Sequence, residues 1–322
     1  MNQNIYDELC NITRQENIKV EEPLSKHTTF RIGGPADYFV IPESIEEIKA
    51  IVEICRMTKI PFYVIGNGSN LLVGDQGFHG VIIMIGNKIS KITIEEPKIE
   101  EPKLEDNELK NTDLFIKVTA QAGVSLCKLA VEIANHSLTG FEFAAGIPGT
   151  LGGAVAMNAG AYGGEIKQGI LSATVLDQKG NIKTLTKEEL KLGYRTSVIQ
   201  TQTYIMLEAT FSFKEGKKED IFDKIVELNS QRKQKQPLEF PSAGSTFKRP
   251  EGFYAGKLIM EAGLSGYRVG DVMISEKHCG FVVNVGDGTA EQVKTLIHDV
   301  DQIVYEKSGV HLEPEIRMIG EF

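Results

Sequence analysis

The most constraining feature of this chain is a glycine-rich segment at residues 146–164, with the sequence GIPGTLGGAVAMNAGAYGG. It interleaves seven glycines with Ile, Leu, Val and Met and carries no charged side chain. A flexible linker would be polar and rich in serine, so this composition predicts a buried segment. Glycine lets the backbone approach a flat or phosphorylated ligand, and successive N–H groups form anion-binding nests. On composition alone, the alternative is a set of tight turns in an ordinary core.

Length, charge and cysteine usage limit the class of protein. A chain of 322 residues predicts two or three domains, and a net charge of −9 argues against a nucleic-acid binder. No apolar run approaches the roughly 20 residues of a membrane helix, and residues 1–19 lack a signal-peptide core. Scattered cysteines predict free thiols, no metal site and a cytoplasmic protein. They are Cys10, Cys55, Cys127 and Cys279.

A strand–helix–strand unit with a glycine-rich loop is predicted near the start of the chain. Residues 36–41 and 61–65 have strand patterns, and a capping sequence from Ser44 to Glu47 begins a helix between them. The sequence GNGSN at residues 66–70 follows the second strand directly, which is where α/β folds hold ligands. This loop is not GxGxxG, which disfavours a Rossmann fold.

Further strands and helices are predicted around an acidic insert. The insert, at about residues 94–113, repeats IEEPK and is expected to be a solvated loop, with partner binding as the alternative. A hairpin is predicted at residues 170–185. Thr289 begins a capping box for a helix that runs to about residue 307, and residues 310–319 are predicted to close the chain as a strand.

Three polar residues lie at positions where a polar side chain is expected to cost free energy. Arg195 lies in the sequence GYRTS, Ser245 in SAGSTFK, and Glu315 in a predicted strand whose alternate residues are apolar. Taken singly, each favours an ordinary interpretation: a surface arginine, a turn serine and an edge-strand carboxylate. Their spacing assembles no Ser-His-Asp arrangement, and the chain has no G-x-S-x-G elbow.

A set of motifs occurs in order along nearly the whole chain. They occupy residues 28–37, 66–72, 146–164, 194–197, 244–248, 255–259, 266–270, 275–278 and 315–317. With these motifs the chain resembles the UDP-N-acetylenolpyruvoylglucosamine reductases, the flavoproteins of bacterial peptidoglycan synthesis. One branch of that family has a loop with a substrate-gating tyrosine between the positions of Arg195 and Ser245. The short segment here indicates the loop-less second type, with Tyr162 or Tyr267 as candidate replacements.

The resemblance implies an α+β fold. It consists of a two-subdomain FAD-binding fold of the vanillyl-alcohol-oxidase (PCMH) type, followed by a C-terminal α+β substrate-binding domain. The expected FAD-binding subdomains span residues 1–79 and 80–216, and the substrate-binding domain spans 217–309. Residues 310–322 are expected to return to the active site as a strand. We also expect a monomer without membrane or nucleic-acid partners.

The resemblance also implies FAD as the cofactor and NADPH as co-substrate. The glycine loops would offer backbone N–H groups to the pyrophosphate and lie close to the isoalloxazine ring. Arg31 would pair with a flavin or phosphate oxygen, with a structural ion pair as the alternative. The expected FAD-binding residues are Arg31, Ile32, Gly66, Asn67, Gly68, Ser69, Asn70, Leu71, Gly146, Pro148, Gly149, Thr150, Gly152, Gly153, Ala154, Asn158 and Gly160.

The implied substrate is UDP-N-acetylglucosamine enolpyruvate. In the family reaction, a hydride passes from NADPH through FAD to the enolpyruvyl methylene carbon, which gives UDP-N-acetylmuramate. Arg195 and Glu315 would stabilise the carboxylate and the developing enolate, and Ser245 would donate the proton. The expected substrate contacts are Tyr162, Arg232, Lys235, Lys248, Lys257, Tyr267, Arg268, His278 and Asn284.

Two other classes of function stay open on the sequence. Another FAD-dependent oxidase or dehydrogenase of the same fold would share the glycine loops but not the surroundings of Ser245 and Glu315. A flavin- or nucleotide-binding protein without turnover would bind FAD, and substitutions at Ser245 would be silent.

Overall fold

The computed structural model describes the backbone of residues 3–95 and 115–322, so the predicted acidic insert at 94–113 lies almost wholly outside the described residues. The helices are α1 (Gln3–Ile12), α2 (Ile45–Met57), α3 (Leu126–Asn135), α4 (Leu151–Ala156), α5 (Ile166–Gly169), α6 (Val198–Thr201), α7 (Lys218–Lys235), α8 (Ala255–Glu261) and α9 (Ala290–Ser308). The strands are β1 (Ile18–Pro23), β2 (Pro35–Val40), β3 (Phe62–Ile65), β4 (Leu71–Val73), β5 (Phe78–Met84), β6 (Ile92–Ile94), β7 (Phe115–Gln121), β8 (Leu138–Thr139), β9 (Gly160–Ala161), β10 (Gly164–Glu165), β11 (Ile170–Leu176), β12 (Ile182–Thr186), β13 (Ile205–Glu215), β14 (Ser242–Ser245), β15 (Arg268–Val269), β16 (Val272–Ile274), β17 (Phe281–Asn284) and β18 (Arg317–Ile319).

The chain divides into two compact units. The discontinuous unit joins Met1–Ile85 to Gln231–Phe322, and the continuous unit is Gly86–Ser230. No helix among residues 3–95 and 115–322 is long and apolar enough to cross a membrane.

The first layer of the discontinuous unit is a sheet of order β1-β2-β5-β3, in which β2, β5 and β3 are parallel. Helix α2 connects β2 to β3 and buries the apolar face that the sequence predicts. The Ser44 hydroxyl accepts a hydrogen bond from the backbone N–H of Glu47 at 3.1 Å, as predicted for this helix start. The Glu47 carboxylate accepts from the backbone N–H of Glu43 at 2.9 Å, one residue before the expected donor.

The second layer of this unit is an antiparallel sheet of order β14-β17-β16-β15, with helices α8 and α9. The predicted capping box of α9 is confirmed, because Thr289 and Gln292 each accept a hydrogen bond from the other's backbone N–H. The Asp75 carboxylate, from the turn after β4, also accepts from the first two N–H groups of this helix, at 2.8 and 3.0 Å. The start of α9 is therefore held by residues from both parts of the discontinuous unit.

One core explains why the two ends of the chain share a unit. Phe30, Ile32 and Leu72 are buried with side chains of β16, β17, α8 and α9 in a single hydrophobic cluster. Residues 1–79, 231–309 and 310–322, which the sequence assigns to separate parts, therefore lie in one compact unit. The four-part division stays a prediction about domains, since compactness does not test independent folding.

The prediction of a continuous closing strand at residues 310–319 is wrong in extent. Only Arg317–Ile319 forms a strand, β18, which pairs in parallel with β4. Pro314 has no N–H to donate to a ladder, and the Leu312 N–H donates to the Asp301 carboxylate instead. Glu315 therefore lies in irregular backbone just before the strand.

The continuous unit is built on an antiparallel sheet of order β12-β11-β13-β7-β6, with β8 also paired to β13. The predicted hairpin at residues 170–185 is confirmed as β11 and β12. Helix α3 buries Leu126, Leu129 and Ile133, and the short hairpin β9–β10 follows α4. This framework carries residues 146–164.

We expect Thr289→Ala to lower the free energy of unfolding by about 1 kcal/mol, because the first turn of α9 loses its capping side chain. Denaturant unfolding followed by circular dichroism measures the change. Thr295→Ala, at an exposed position in the middle of α9, is the matched control and should not be destabilising. Equal losses in the two variants would argue against the cap.

Candidate active site

The loop at residues 66–70 packs against the segment at residues 27–29. Gly68 has a φ of 59°, and a Cβ on it would lie 2.1 Å from the carbonyl oxygen of His27. The Gly68 carbonyl accepts a hydrogen bond from the Thr29 N–H at 3.3 Å. Only glycine fits this position, so the loop keeps its backbone close to its neighbours. Leu71, at its end, is buried as the first residue of β4.

The glycines of residues 146–164 have two different roles. Gly160 and Gly164 lack room for a Cβ, which would lie 2.6 Å from the Gly164 carbonyl oxygen and 2.3 Å from the Phe143 ring respectively. These glycines allow close packing of the β9–β10 hairpin, which agrees in part with the tight-turn interpretation. A Cβ on Gly153, by contrast, would have its nearest neighbour, the Thr150 hydroxyl oxygen, at 4.0 Å.

The open face at Gly153 fits a flat ligand. It lies on α4, where a missing side chain leaves backbone accessible. The residues just before α4 are fixed, because the Gly149 carbonyl accepts from the Leu126 N–H at 3.1 Å and Thr150 is buried. This open stretch of backbone suits the close backbone approach that FAD requires.

Arg195 lies in a tight turn closed by two hydrogen bonds between Gly193 and Thr196. Its φ is 55°, an uncommon conformation for a residue with a side chain, which costs about 1–3 kcal/mol. The guanidinium donates to the Gly160 carbonyl at 3.4 Å and lies 5.2 Å from the Tyr194 ring. The buried Asn158 amide donates to the Gly193 carbonyl at 3.0 Å and so supports the turn.

Ser245 ends strand β14, opposite Phe281 of β17. The pairing is irregular between Ser242 and Ser245, where Gly244 has a φ of 78°. Such an irregularity changes the direction of the following side chain. The next residue, Thr246, is buried and fixed, since its N–H donates to the Gly280 carbonyl at 2.8 Å and its hydroxyl accepts from the Val282 N–H at 2.9 Å.

Glu315 lies beside this strand end. Its N–H donates to the Thr246 carbonyl at 2.7 Å, and the Lys248 N–H donates to the Glu313 carbonyl at 2.8 Å. The Glu315 carbonyl accepts from the Asn70 side-chain amide at 3.2 Å. The discontinuous unit thus brings Ser245 and Glu315, two of the predicted catalytic residues, onto adjacent backbone segments.

A cavity of about 650 Å³ brings together two other predicted site residues, Arg31 and Asn284. Gly34, Asp75 and Phe240 also line it. The buried Asn284 side chain is largely committed inside the protein. Its oxygen accepts from the N–H groups of Gly286 and Gly288, and its amide donates to the Phe30 carbonyl. Ile32 is buried in the core beside this cavity.

Several predicted substrate-binding cations already have carboxylate partners. Lys248 is paired with Glu313, Lys257 with Glu261 at 3.7 Å, and Arg268 with Asp271 at 2.7 Å. A bound diphosphate would have to compete with these carboxylates. Lys235 is exposed and Arg232 half-buried near the end of α7, and Tyr162 is exposed in the β9–β10 turn.

Tyr267 and His278 are held by specific hydrogen bonds. The Tyr267 hydroxyl donates to Asp299 at 2.8 Å, and this bond raises the pKa of the tyrosine. The His278 Nδ1 atom accepts from the Gly280 N–H at 3.1 Å, which leaves the ring proton on Nε2. Burial lowers the pKa of His278 below its ordinary value. His278 therefore presents a neutral donor at pH 7.

Sequence reasoning missed the residues that support the site. The FAD contacts expected of Asn158 and Asn70 stay predictions, and no sequence pattern indicated that their side chains donate to the backbone carbonyls of Gly193 and Glu315. Asp75 and Thr246 carried no local signal, because each acts on a backbone group far along the chain. Among the described residues, no group of three or more His, Cys, Asp or Glu could hold a metal ion.

Comparison with known proteins shows the class of enzyme and then the family. Residues 36–186 match the FAD binding domain family, and residues 236–319 match the UDP-N-acetylenolpyruvoylglucosamine reductase, C-terminal domain family. The protein is an FAD-dependent flavoprotein oxidoreductase, and the predicted fold class, an FAD-binding fold followed by a C-terminal α+β domain, is confirmed. The chain belongs to the UDP-N-acetylenolpyruvoylglucosamine reductase family.

Relatives support this assignment over their whole length. The reductase of Lachnoclostridium phytofermentans is 56% identical over 321 residues, which cover 100% of this chain and 99% of that protein. The reductase of Agathobacter rectalis is 50% identical, with 100% of both chains covered. The crystal structure of the UDP-N-acetylenolpyruvylglucosamine reductase of Thermus caldophilus is 35% identical, with a TM-score of 0.73, and the match covers 94% of this chain and 97% of that one.

We expect Gly153→Ala to weaken FAD binding by about 1–3 kcal/mol, because the added methyl group occupies the open face. Alanine also favours a helix over glycine, so unfolding of the apoprotein should not become easier. Flavin titration and thermal unfolding of the apoprotein measure the two effects separately. Wild-type affinity for FAD would show that this face does not contact the cofactor.

A second expectation concerns stability at acid pH. Because the pKa of His278 is lower in the folded protein than in the unfolded chain, falling pH protonates the unfolded chain first. The contribution of the neutral His278 ring to the free energy of unfolding is present above about pH 6.5 and is lost as pH falls below that value. His278→Gln should therefore lose less stability than wild type between pH 7 and more acid conditions. Equal losses in denaturant titrations would contradict this.

Proposed function

We propose that the protein catalyses the NADPH-dependent reduction of UDP-N-acetylglucosamine enolpyruvate to UDP-N-acetylmuramate, a cytoplasmic step in peptidoglycan precursor synthesis. The observation that carries the proposal is the adjacency of Ser245 and Glu315. Their backbones are joined through the 2.7 Å hydrogen bond from Glu315 N–H to the Thr246 carbonyl. Full-length similarity to proteins named as this reductase supports the substrate.

FAD, when bound, supplies the hydride transfer from NADPH to the enolpyruvyl methylene carbon. The protein must then manage the charge that develops on the neighbouring carbon and deliver a proton to it. A hydroxyl is a weak acid, so it acts only on a strongly basic carbon and from a fixed position. Ser245 meets the positional requirement, because it ends an ordered strand and precedes the buried Thr246.

Glu315 and Arg195 would hold the substrate carboxylate and the developing negative charge. A guanidinium stays charged and can bind a carboxylate through two parallel hydrogen bonds. Asn158 supports the strained turn at Arg195 through the Gly193 carbonyl, and the Gly160 carbonyl accepts a hydrogen bond from the Arg195 guanidinium. Glu315, as the neutral acid, would donate a hydrogen bond to the same charge.

The nucleotide-binding roles are proposed for residues of the discontinuous unit. The loop at residues 66–70 would bind the FAD pyrophosphate through backbone N–H groups. Lys248 and Arg268 would turn from their carboxylate partners toward the substrate diphosphate, because a diphosphate offers more charge than a single carboxylate. His278 would donate through Nε2.

Ser245→Ala should keep flavin reduction by NADPH but slow flavin reoxidation by the sugar nucleotide on the order of 10²-fold or more, because the proton donor is lost. Stopped-flow absorption under anaerobic conditions separates the two half-reactions. Ser245→Cys, whose thiol is a stronger acid, should be faster than Ser245→Ala. Ser242→Ala, at the other end of β14, is the matched control and should retain both half-reactions.

The outcomes distinguish the rival functions. Reduction by NADPH without reoxidation by the sugar nucleotide in wild type would indicate another FAD-dependent enzyme of the same fold. Absence of both half-reactions, with FAD bound, would indicate a binding protein. Normal turnover by Ser245→Ala would remove Ser245 from the proton-donor role while leaving the overall reaction in place.

A further inference from the structure

We infer that Asn70 is a positioning residue for Glu315, and that its side-chain amide holds the Glu315 backbone beside Ser245. This role differs from the FAD contact expected from the sequence. The inference rests on the proposed function, because it gives Asn70 a part in the step that Glu315 serves.

Asn70 contacts the C-terminal segment through both its side chain and its backbone. The side-chain amide donates to the Glu315 carbonyl at 3.2 Å, and the Asn70 carbonyl accepts from the Arg317 N–H at 2.9 Å. Directly after it, Leu71–Val73 pairs in parallel with Arg317–Ile319. The hydrogen bond from the Asn70 side-chain amide therefore adds a contact beyond the β4–β18 ladder. It reaches Glu315, which the ladder itself does not include.

Glu315 is held on its other side by the strand that carries Ser245. Its N–H donates to the Thr246 carbonyl, and Phe247 and Pro314 form an isolated antiparallel bridge. Both backbone polar groups of Glu315 are thus used, one toward the Ser245 strand and one toward Asn70. Loss of the second contact removes the side-chain hydrogen bond that holds the Glu315 carbonyl on the Asn70 side.

The chemistry of the contact requires a donor at residue 70. A backbone carbonyl accepts hydrogen bonds but donates none, so an amide or a hydroxyl can satisfy it and an ionised carboxylate cannot. Asn70→Asp keeps the size and shape of the side chain while removing the donor at neutral pH. Asn70→Ala removes the donor and the side chain together.

The consequence would appear in one half-reaction. Misplacement of a reacting group by about 1 Å can slow a reaction 10²-fold, so both variants should slow reoxidation by roughly 10- to 100-fold. Reduction by NADPH does not use Glu315 and should stay near the wild-type rate. FAD affinity should change little, because the proposed FAD contacts in this loop come from backbone N–H groups.

The experiment is a double-mutant cycle of Asn70→Ala with Glu315→Gln, supported by Asn70→Asp. FAD affinity is measured by fluorescence titration, folding by thermal unfolding, and the two half-reactions by stopped-flow absorption with NADPH and then UDP-N-acetylglucosamine enolpyruvate. If Asn70 acts through Glu315, adding Asn70→Ala to Glu315→Gln should slow reoxidation little further. Wild type is measured first, and its failure to be reoxidised would refute the proposed function rather than the role of Asn70.

Several results would overturn the inference. Multiplicative rate effects in the cycle would show that Asn70 acts independently of Glu315. Recovery of Asn70→Ala at excess FAD would make Asn70 a cofactor contact, and wild-type reoxidation by Asn70→Asp would show that the donated bond is dispensable. Failure of both Asn70 variants to fold would assign Asn70 to stability alone.

Discussion

The parallel pairing of β4 with β18 is the constraint on which the candidate site depends. It fixes the segment before β18 next to the loop before β4, and that segment carries Glu315. The same segment contacts the end of β14, where Ser245 lies. A three-residue ladder between distant parts of the chain thereby aligns a predicted cofactor loop, a carboxyl group and a hydroxyl group. The shared core around Phe30 and Leu72 lies in the same unit.

The three residues proposed to be catalytic lie at or beside local departures from regular backbone. Arg195 has a left-handed conformation, Ser245 follows a strand irregularity, and Glu315 precedes its strand. Each deviation places a side chain where a regular element would not. Asn158, Thr246 and Asn70 supply the hydrogen bonds that a helix or sheet would otherwise provide. Regular structure surrounds the site, and side-chain hydrogen bonds complete it.

The sequence was sufficient to predict structure that depends on residues close together in the chain. The start of α2 and the capping box of α9 follow from residues within one turn of each other, and the β11–β12 hairpin follows from its turn. It was insufficient for pairings between distant residues, such as Asn70 with Glu315, 245 positions apart. No local pattern encodes which carbonyl such a side chain reaches. The alternating apolar residues of 310–319 suggested a strand, but Pro314 and Asp301 removed the ladder from its first part.

Because the discontinuous unit is built from both ends of the chain, its folding depends on the order in which the chain is synthesised. All of residues 86–230 are synthesised before the C-terminal part of the discontinuous unit begins at residue 231. Phe30, Ile32 and Leu72 must wait for the helices and strands made last, because their core partners lie in β16, β17, α8 and α9. Their early apolar surfaces stay uncovered meanwhile, because closing contacts between distant residues is intrinsically slow. Nascent chains of this protein should thus need chaperone protection at their N-terminal end until the final strand has been synthesised.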